Sequence, residues 1–102
     1  MLANHIAWAA GLFEGEGTMY MDGNQPIMEI GMTDYDVIQR YADFTEGGYI
    51  RTKERPNNWK TVFIHRIKGR HKVTELLETF LPYFGNRRAH KALDILDHLE
   101  CS

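Results

Sequence analysis

Cysteine is nearly absent from this sequence, with one residue, Cys101, in 102. A lone thiol excludes a disulfide within the chain and a cysteine-rich zinc centre. It points to an intracellular, reducing compartment. No apolar run is long enough to span a bilayer and no secretory signal is visible, so no membrane partner is expected. The five histidines show no zinc-like spacing. A phosphate-cradling P-loop is missing, and "GEGTMY" sits between a helix and a strand, the reverse of a dinucleotide fingerprint. There is no surplus of positive charge either, since 12 Lys+Arg stand against 14 Asp+Glu, for a net −2. That balance argues against a nucleic-acid partner but says nothing about where the charges sit.

With 102 residues, 43% apolar and 25% charged, one soluble domain over residues 1–102 is expected. A monomer this small is modestly stable, and association is a common remedy. Asn4 is placed to cap a helix running to about Phe13. "TMYMD" then alternates, with Met19 and Met21 on one side and Thr18, Tyr20 and Asp22 on the other. "GNQP" reads as a turn, and Met28, Ile30 and Met32 alternate with Ile27, Glu29 and Gly31. Thr33 opens a helix with the stripe Val37, Ile38, Tyr41 and Phe44, stopped by Gly47 and Gly48.

A second hairpin flanks "PNNW". Ile50, Val62 and Ile64 are expected on one face, and Arg51, Lys53, Arg55, Thr61, Phe63 and His65 on the other. Val73, Leu76, Leu77, Phe80 and Leu81 form a helical stripe that Pro82 and Gly85 end. Ala92, Leu93, Leu96 and Leu99 form the last. The order αββαββαα predicts an α+β fold with a four-stranded antiparallel sheet and helices on one face.

The segment "AWAAGLFEGEG", residues 7–17, does not read as a plain core helix. Ala7, Gly11 and Gly15 recur every four residues and share one stripe. A stripe without bulk suits close approach of another backbone, either this domain's own sheet or the same helix of a second copy. Trp8, Leu12 and Phe13 lie on other sides as anchors. Glu14 and Glu16 stand at a helix C-terminus, where the dipole disfavours acids. They are either solvated charges or ligands for a hard cation.

"AAGLFEGEG", Ala9 to Gly17, resembles the LAGLIDADG motif of the homing endonucleases, and the element order resembles that family's core over nearly the whole chain. The resemblance implies a homing-endonuclease-like fold. With one motif present, it also implies a homodimer in which Ala7, Gly11, Glu14 and Gly15 meet their mates. It implies double-stranded DNA as partner and cleavage of a near-palindromic site by metal-dependent phosphodiester hydrolysis. Glu16 and the Gly15 carbonyl would bind Mg²⁺ or Mn²⁺. Asp34 aligns with a polar site residue, and Arg87, beside Arg88, with a basic one, giving Glu16, Asp34 and Arg87 as the catalytic set. A non-cleaving DNA-binding module and an RNA-binding intron maturase are the alternatives on the same resemblance.

The charge order of the last helix adds to this. Arg87, Arg88, His90 and Lys91 crowd its start, and Asp94, Asp97 and Glu100 its end, which opposes the macrodipole. Either the cations face phosphate, or pairs such as Lys91 with Asp94 account for them. Arg51, Lys53 and Arg55 alternate onto the polar sheet face, as a solvated strand or a phosphate strip. The candidate DNA-contacting residues are Tyr20, Asp22, Gln25, Glu29, Arg51, Lys53, Arg55, Thr61, Phe63, His65 and Arg88. Asp34 has a second reading, as a favourable acid in the first turn of its helix.

Overall fold

The computed structural model describes residues 3–54 and 60–100. Arg55, the PNNW turn and Cys101 lie outside the described residues. The elements are α1 (Ala3–Glu16), β1 (Gly17–Asp22), β2 (Gln25–Met32), α2 (Tyr35–Thr45), β3 (Tyr49–Lys53), β4 (Val62–Lys68), α3 (Arg70–Phe80), a 3₁₀ turn (Leu81–Tyr83) and α4 (Asn86–Glu100). The four strands pair antiparallel in the order β1-β2-β4-β3. This is the α+β arrangement expected, with a 3₁₀ turn added at Pro82, where the helical ladder loses a donor.

Cross-strand partners share a face, so the register identifies the core side. Met19 pairs with Met28 and Met28 with Ile67. Ile30 pairs with His65, which also faces Ile50. The helices cover this side. Phe13 of α1, Ile38 and Tyr41 of α2, Leu76, Leu77 and Phe80 of α3, and Ala92 and Ile95 of α4 bury against it. Phe13 meets Phe80 at 6.2 Å and Phe84 at 6.0 Å between ring centroids.

Three local expectations are corrected. First, α1 does not loosen at Phe13 but continues to Glu16, and Asn4 lies within it. Two glycines cost about 1 kcal/mol each in a helix. That cost is offset by the complete burial of Ala9, Ala10 and Phe13. Second, Asp34 rather than Thr33 occupies the N-cap of α2, without a side-chain capping hydrogen bond.

Third, β4 has the opposite phase. Phe63, His65 and Ile67 face the helices, while Val62, Ile64 and Arg66 face outward with Arg51 and Lys53. A one-residue shift of phase sends every side chain of a strand to the other face. Both phases of "VFIHRI" offer apolar residues, so alternation alone does not choose between them. Phe63 and His65, expected as outward DNA contacts, are therefore on the core side.

His65 closes the α2–β3 connection. Its side chain is buried, its Nε2 lies 2.8 Å from the Gly47 carbonyl, and its ring stands edge-on to Tyr41. The carbonyl only accepts, so Nε2 carries the proton. Burial lowers the imidazole's pKa, opposed by the bond to Gly47. The folded state thus favours neutral His65, and the unfolded chain binds the extra proton first. This contribution to stability is full above about pH 6.5 and is lost as pH falls through the folded-state value. Urea midpoints should therefore drop between pH 7.5 and 5.5, with a smaller drop in His65→Gln. Parallel pH profiles in the two proteins would contradict the assignment.

Gly48 sits against the same contact at φ 78°. An added Cβ would meet the Arg66 carbonyl and Ile67. Gly48→Ala combines left-handed backbone strain with overpacking and should cost about 3 kcal/mol, read as a lower urea midpoint at unchanged slope.

Candidate nucleic-acid interface

The uncovered sheet face is built in rows across the strands. One row is Thr18, Glu29, Arg66 and Tyr49, and Arg51 and Ile64 pair in the next. Lys53 pairs with Val62, and Asp22 with Gln25. Asp22, Gln25, Arg51 and Lys53 are exposed, and Tyr49 is 52% exposed. Thr61, half-buried, precedes β4. The face also carries apolar residues. Ile27, buried, lies in register between Tyr20 and Lys68, and Val62 is buried as well.

Glu29 is the hub of this face. Its Oε2 accepts from Arg66 Nε at 2.6 Å and lies 4.0 Å from Arg51 Nη2. Its Oε1 accepts from the Tyr20 hydroxyl at 3.1 Å. The Tyr20 pKa is raised, first by desolvation and then by this hydrogen bond to Glu29. The Arg66 pKa is raised chiefly by its hydrogen bond to Glu29. Glu29 is thus not a free acid facing a polyanion. One carboxylate between two guanidinium groups leaves the cluster cationic. Arg66 was not among the sequence candidates. The signal that finds it is β4's other phase, with a histidine placed inside.

Glu16 and Asp34 lie at one end of the sheet. Glu16 immediately precedes β1, whose first residue Gly17 pairs with Ile30, and Asp34 lies two residues after β2 ends at Met32. Both are exposed, and among the described residues neither side chain is in a hydrogen bond or ion pair. Arg87 is likewise exposed and unpaired among them.

Glu14 and Arg88 do something else. Arg88 donates to the Gly17 carbonyl at 2.7 Å and the Glu14 carbonyl at 2.9 Å, with its guanidinium 5.6 Å from the Phe13 ring centroid. The Glu14 side chain accepts from the Gly85 amide at 2.9 Å and lies 3.6 Å from Arg88 Nε. A cation at the start of α4 thus satisfies carbonyls where α1 ends, which accounts for part of α4's reversed charge order. Arg88, expected as a DNA contact, is held in this staple. Lys91 and Asp94 form no ion pair among the described residues.

Ala7, Gly11 and Gly15 are all exposed, and a Cβ at Gly11 or Gly15 would meet nothing within 4 Å. The stripe therefore does not pack on this chain's own sheet. Trp8 and Leu12 pack on the core edge, with the Arg40 guanidinium 4.0 Å from the Trp8 ring centroid. Among the described residues no group of three or more His, Cys, Asp or Glu converges on one point. One chain offers the Glu16 carboxylate, unpaired among the described residues, while the Glu14 and Gly17 carbonyls beside it are taken by Arg88. One carboxylate per chain fits Mg²⁺, which keeps several waters and takes one or two carboxylates.

A four-stranded antiparallel sheet with one bare face, helices on the other and, among the described residues, unpaired acids at one end defines an α+β scaffold. Solved structures identify that scaffold as the homing-endonuclease fold. The chain is similar to the homing endonuclease I-CvuI in complex with its target in the presence of Ca, with TM-score 0.75 and 17% identity over 93% of this chain and 65% of that one. It is similar to the homing endonuclease I-TnaI, with TM-score 0.70 and 17% identity over 90% and 69%. A second I-CvuI complex, with Mg and uncleaved DNA, gives TM-score 0.65 and 16% identity over 91% and 64%. The chain thus spans about 65% of the length of I-CvuI. No protein-family model matches the sequence, and no curated protein matches it. Among the described residues no helix is long and apolar enough to cross a membrane.

Proposed function

We propose that this protein is a site-specific double-strand DNA endonuclease acting as a homodimer with Mg²⁺ or Mn²⁺. The observation that carries the reading is the state of Glu16, an exposed acid without a partner among the described residues, where α1's small-residue stripe ends. Its neighbour Glu14 is committed to Gly85 and Arg88. Pairing two α1 helices along Ala7, Gly11 and Gly15 brings two Glu16 carboxylates toward the two-fold axis. Like charges there repel unless a cation lies between them. Glu16 and the Gly15 carbonyl would hold it. When bound, such a cation supplies positive charge to the phosphate undergoing displacement and lowers the pKa of water.

The chain's own residues do the rest. Asp34, at the same end of the sheet, orients water. Arg87 stabilises charge on the phosphate. Arg51 and Lys53 hold the backbone of the duplex against the open face. Tyr20, Asp22 and Gln25 reach toward base edges. Two-fold symmetry makes the target near-palindromic.

The test is selection of cleaved sites from a random duplex library with Mg²⁺. Recovery of a near-palindromic consensus, lost on adding a chelator, supports the reading. Binding of duplexes without cleavage supports a non-cleaving module. Preference for structured RNA supports the maturase.

A further inference from the structure

We propose that Arg66, aimed by Glu29, reads a guanine in each half-site of the bound duplex. This assignment rests on the endonuclease reading and adds a specificity-determining residue and its positioning partner. β4 lies between β2 and β3, so Arg66 stands near the middle of the open face. Its Nε is engaged by Glu29. Among the described residues no partner takes its two terminal Nη groups. These form the end of a planar fork, and a planar pair of donors matches guanine O6 and N7 in the major groove.

Glu29 cannot turn away to accept from a base without breaking its other contact, because Tyr20 donates to Oε1 while Arg66 takes Oε2. The side chains of Arg66 and Glu29 are only 27% and 19% exposed. An arginine held in this way is already ordered before DNA arrives, so binding orders less of it. Arg51, 4.0 Å from the same carboxylate, keeps the cluster net positive. Glu29 therefore acts as a positioning residue, and its negative charge on a DNA-facing sheet is accounted for.

The test uses the full chain and duplexes with randomised half-sites, bound and sequenced at two salt concentrations. The parent should prefer guanine at one position of each half-site by roughly 10- to 100-fold, the range of a good bidentate contact. Arg66→Gln should erase that preference or turn it toward adenine, with other positions changed less than about threefold and the salt slope unchanged. Glu29→Gln should weaken the same preference at the same position, with total affinity equal or higher because an acid has left the face. Thermal melting of both variants close to the parent shows that the fold is kept.

A uniform loss across all sequences in Arg66→Gln, with the salt slope reduced by about one, would identify a phosphate contact and overturn the assignment. An unchanged base profile in Arg66→Gln would do the same while leaving the endonuclease reading intact. A parent that binds no duplex would overturn both.

Discussion

Glu16→Gln should reduce cleavage of the selected site by at least about 100-fold, with melting temperature and duplex binding nearly unchanged. The fold gives the reason for the separation. Glu16 is exposed, and no described residue pairs with it, so its removal strands no partner. It also ends α1, where the dipole disfavours an acid by about 0.3–1 kcal/mol. The charge is therefore a small cost to folding, and the substitution should leave stability equal or slightly higher. A hard cation is the partner that reverses the sign, and an amide is a far weaker ligand than a carboxylate. Glu14→Gln is the contrast. Its carboxylate is tied to Gly85 and Arg88, so the loss there is one of stability, by about 1–3 kcal/mol. Cleavage rates in Mg²⁺ and Mn²⁺, measured beside melting curves, separate the two acids. Undiminished cleavage by Glu16→Gln would remove the proposed mechanism.

Gly11→Leu should convert a dimer into a monomer and abolish cleavage with it, without unfolding the chain. Within one chain the position is open, since an added Cβ meets nothing within 4 Å. Replacing a helical glycine by a good helix former gains about 1 kcal/mol of intrinsic stability. Between two chains the same side chain blocks backbone approach along the stripe, and the dimer should weaken by at least about 100-fold. Sedimentation velocity over a range of concentrations reads the mass. Gly11→Ala is the graded control, with the same helix gain and one methyl of obstruction. An unchanged dimer in Gly11→Leu would place the interface elsewhere, and loss of the folded circular-dichroism spectrum at 25 °C would contradict the open environment of Gly11.

These two predictions draw on features legible to different degrees. Periodicity located the first hairpin, the faces of β3, and the stripes Val73–Leu76–Leu77–Phe80 and Val37–Ile38–Tyr41–Phe44. One phase of each of these segments is clearly more apolar than the other. β4 was not legible in this way. Phe63, His65 and Ile67 compete with Val62 and Ile64, and the choice is made by the buried bond from His65 to Gly47. That choice in turn put Arg66 on the open face. The extent of α1 was hidden for a related reason. Its glycines lower local propensity, and what compensates is tertiary: burial of Ala9, Ala10 and Phe13 and the bonds from Arg88 of α4, more than seventy residues away in sequence.

The sequence by itself determined the element order, the antiparallel sheet with one covered face, and the nonapeptide that singles out Glu16. Those follow from side-chain periodicity, turn chemistry and a short contiguous motif, all properties of neighbours along the chain. Only the tertiary structure decided which acid is free and which is committed, whether Gly11 and Gly15 face inward or out, and which arginine stands on the sheet. Glu14 meets Gly85 and Arg88, and Glu29 meets Arg66, across separations of 71, 74 and 37 residues. A carboxylate's role depends on the cation or amide brought within hydrogen-bonding reach, and that distance exists only once the chain has folded.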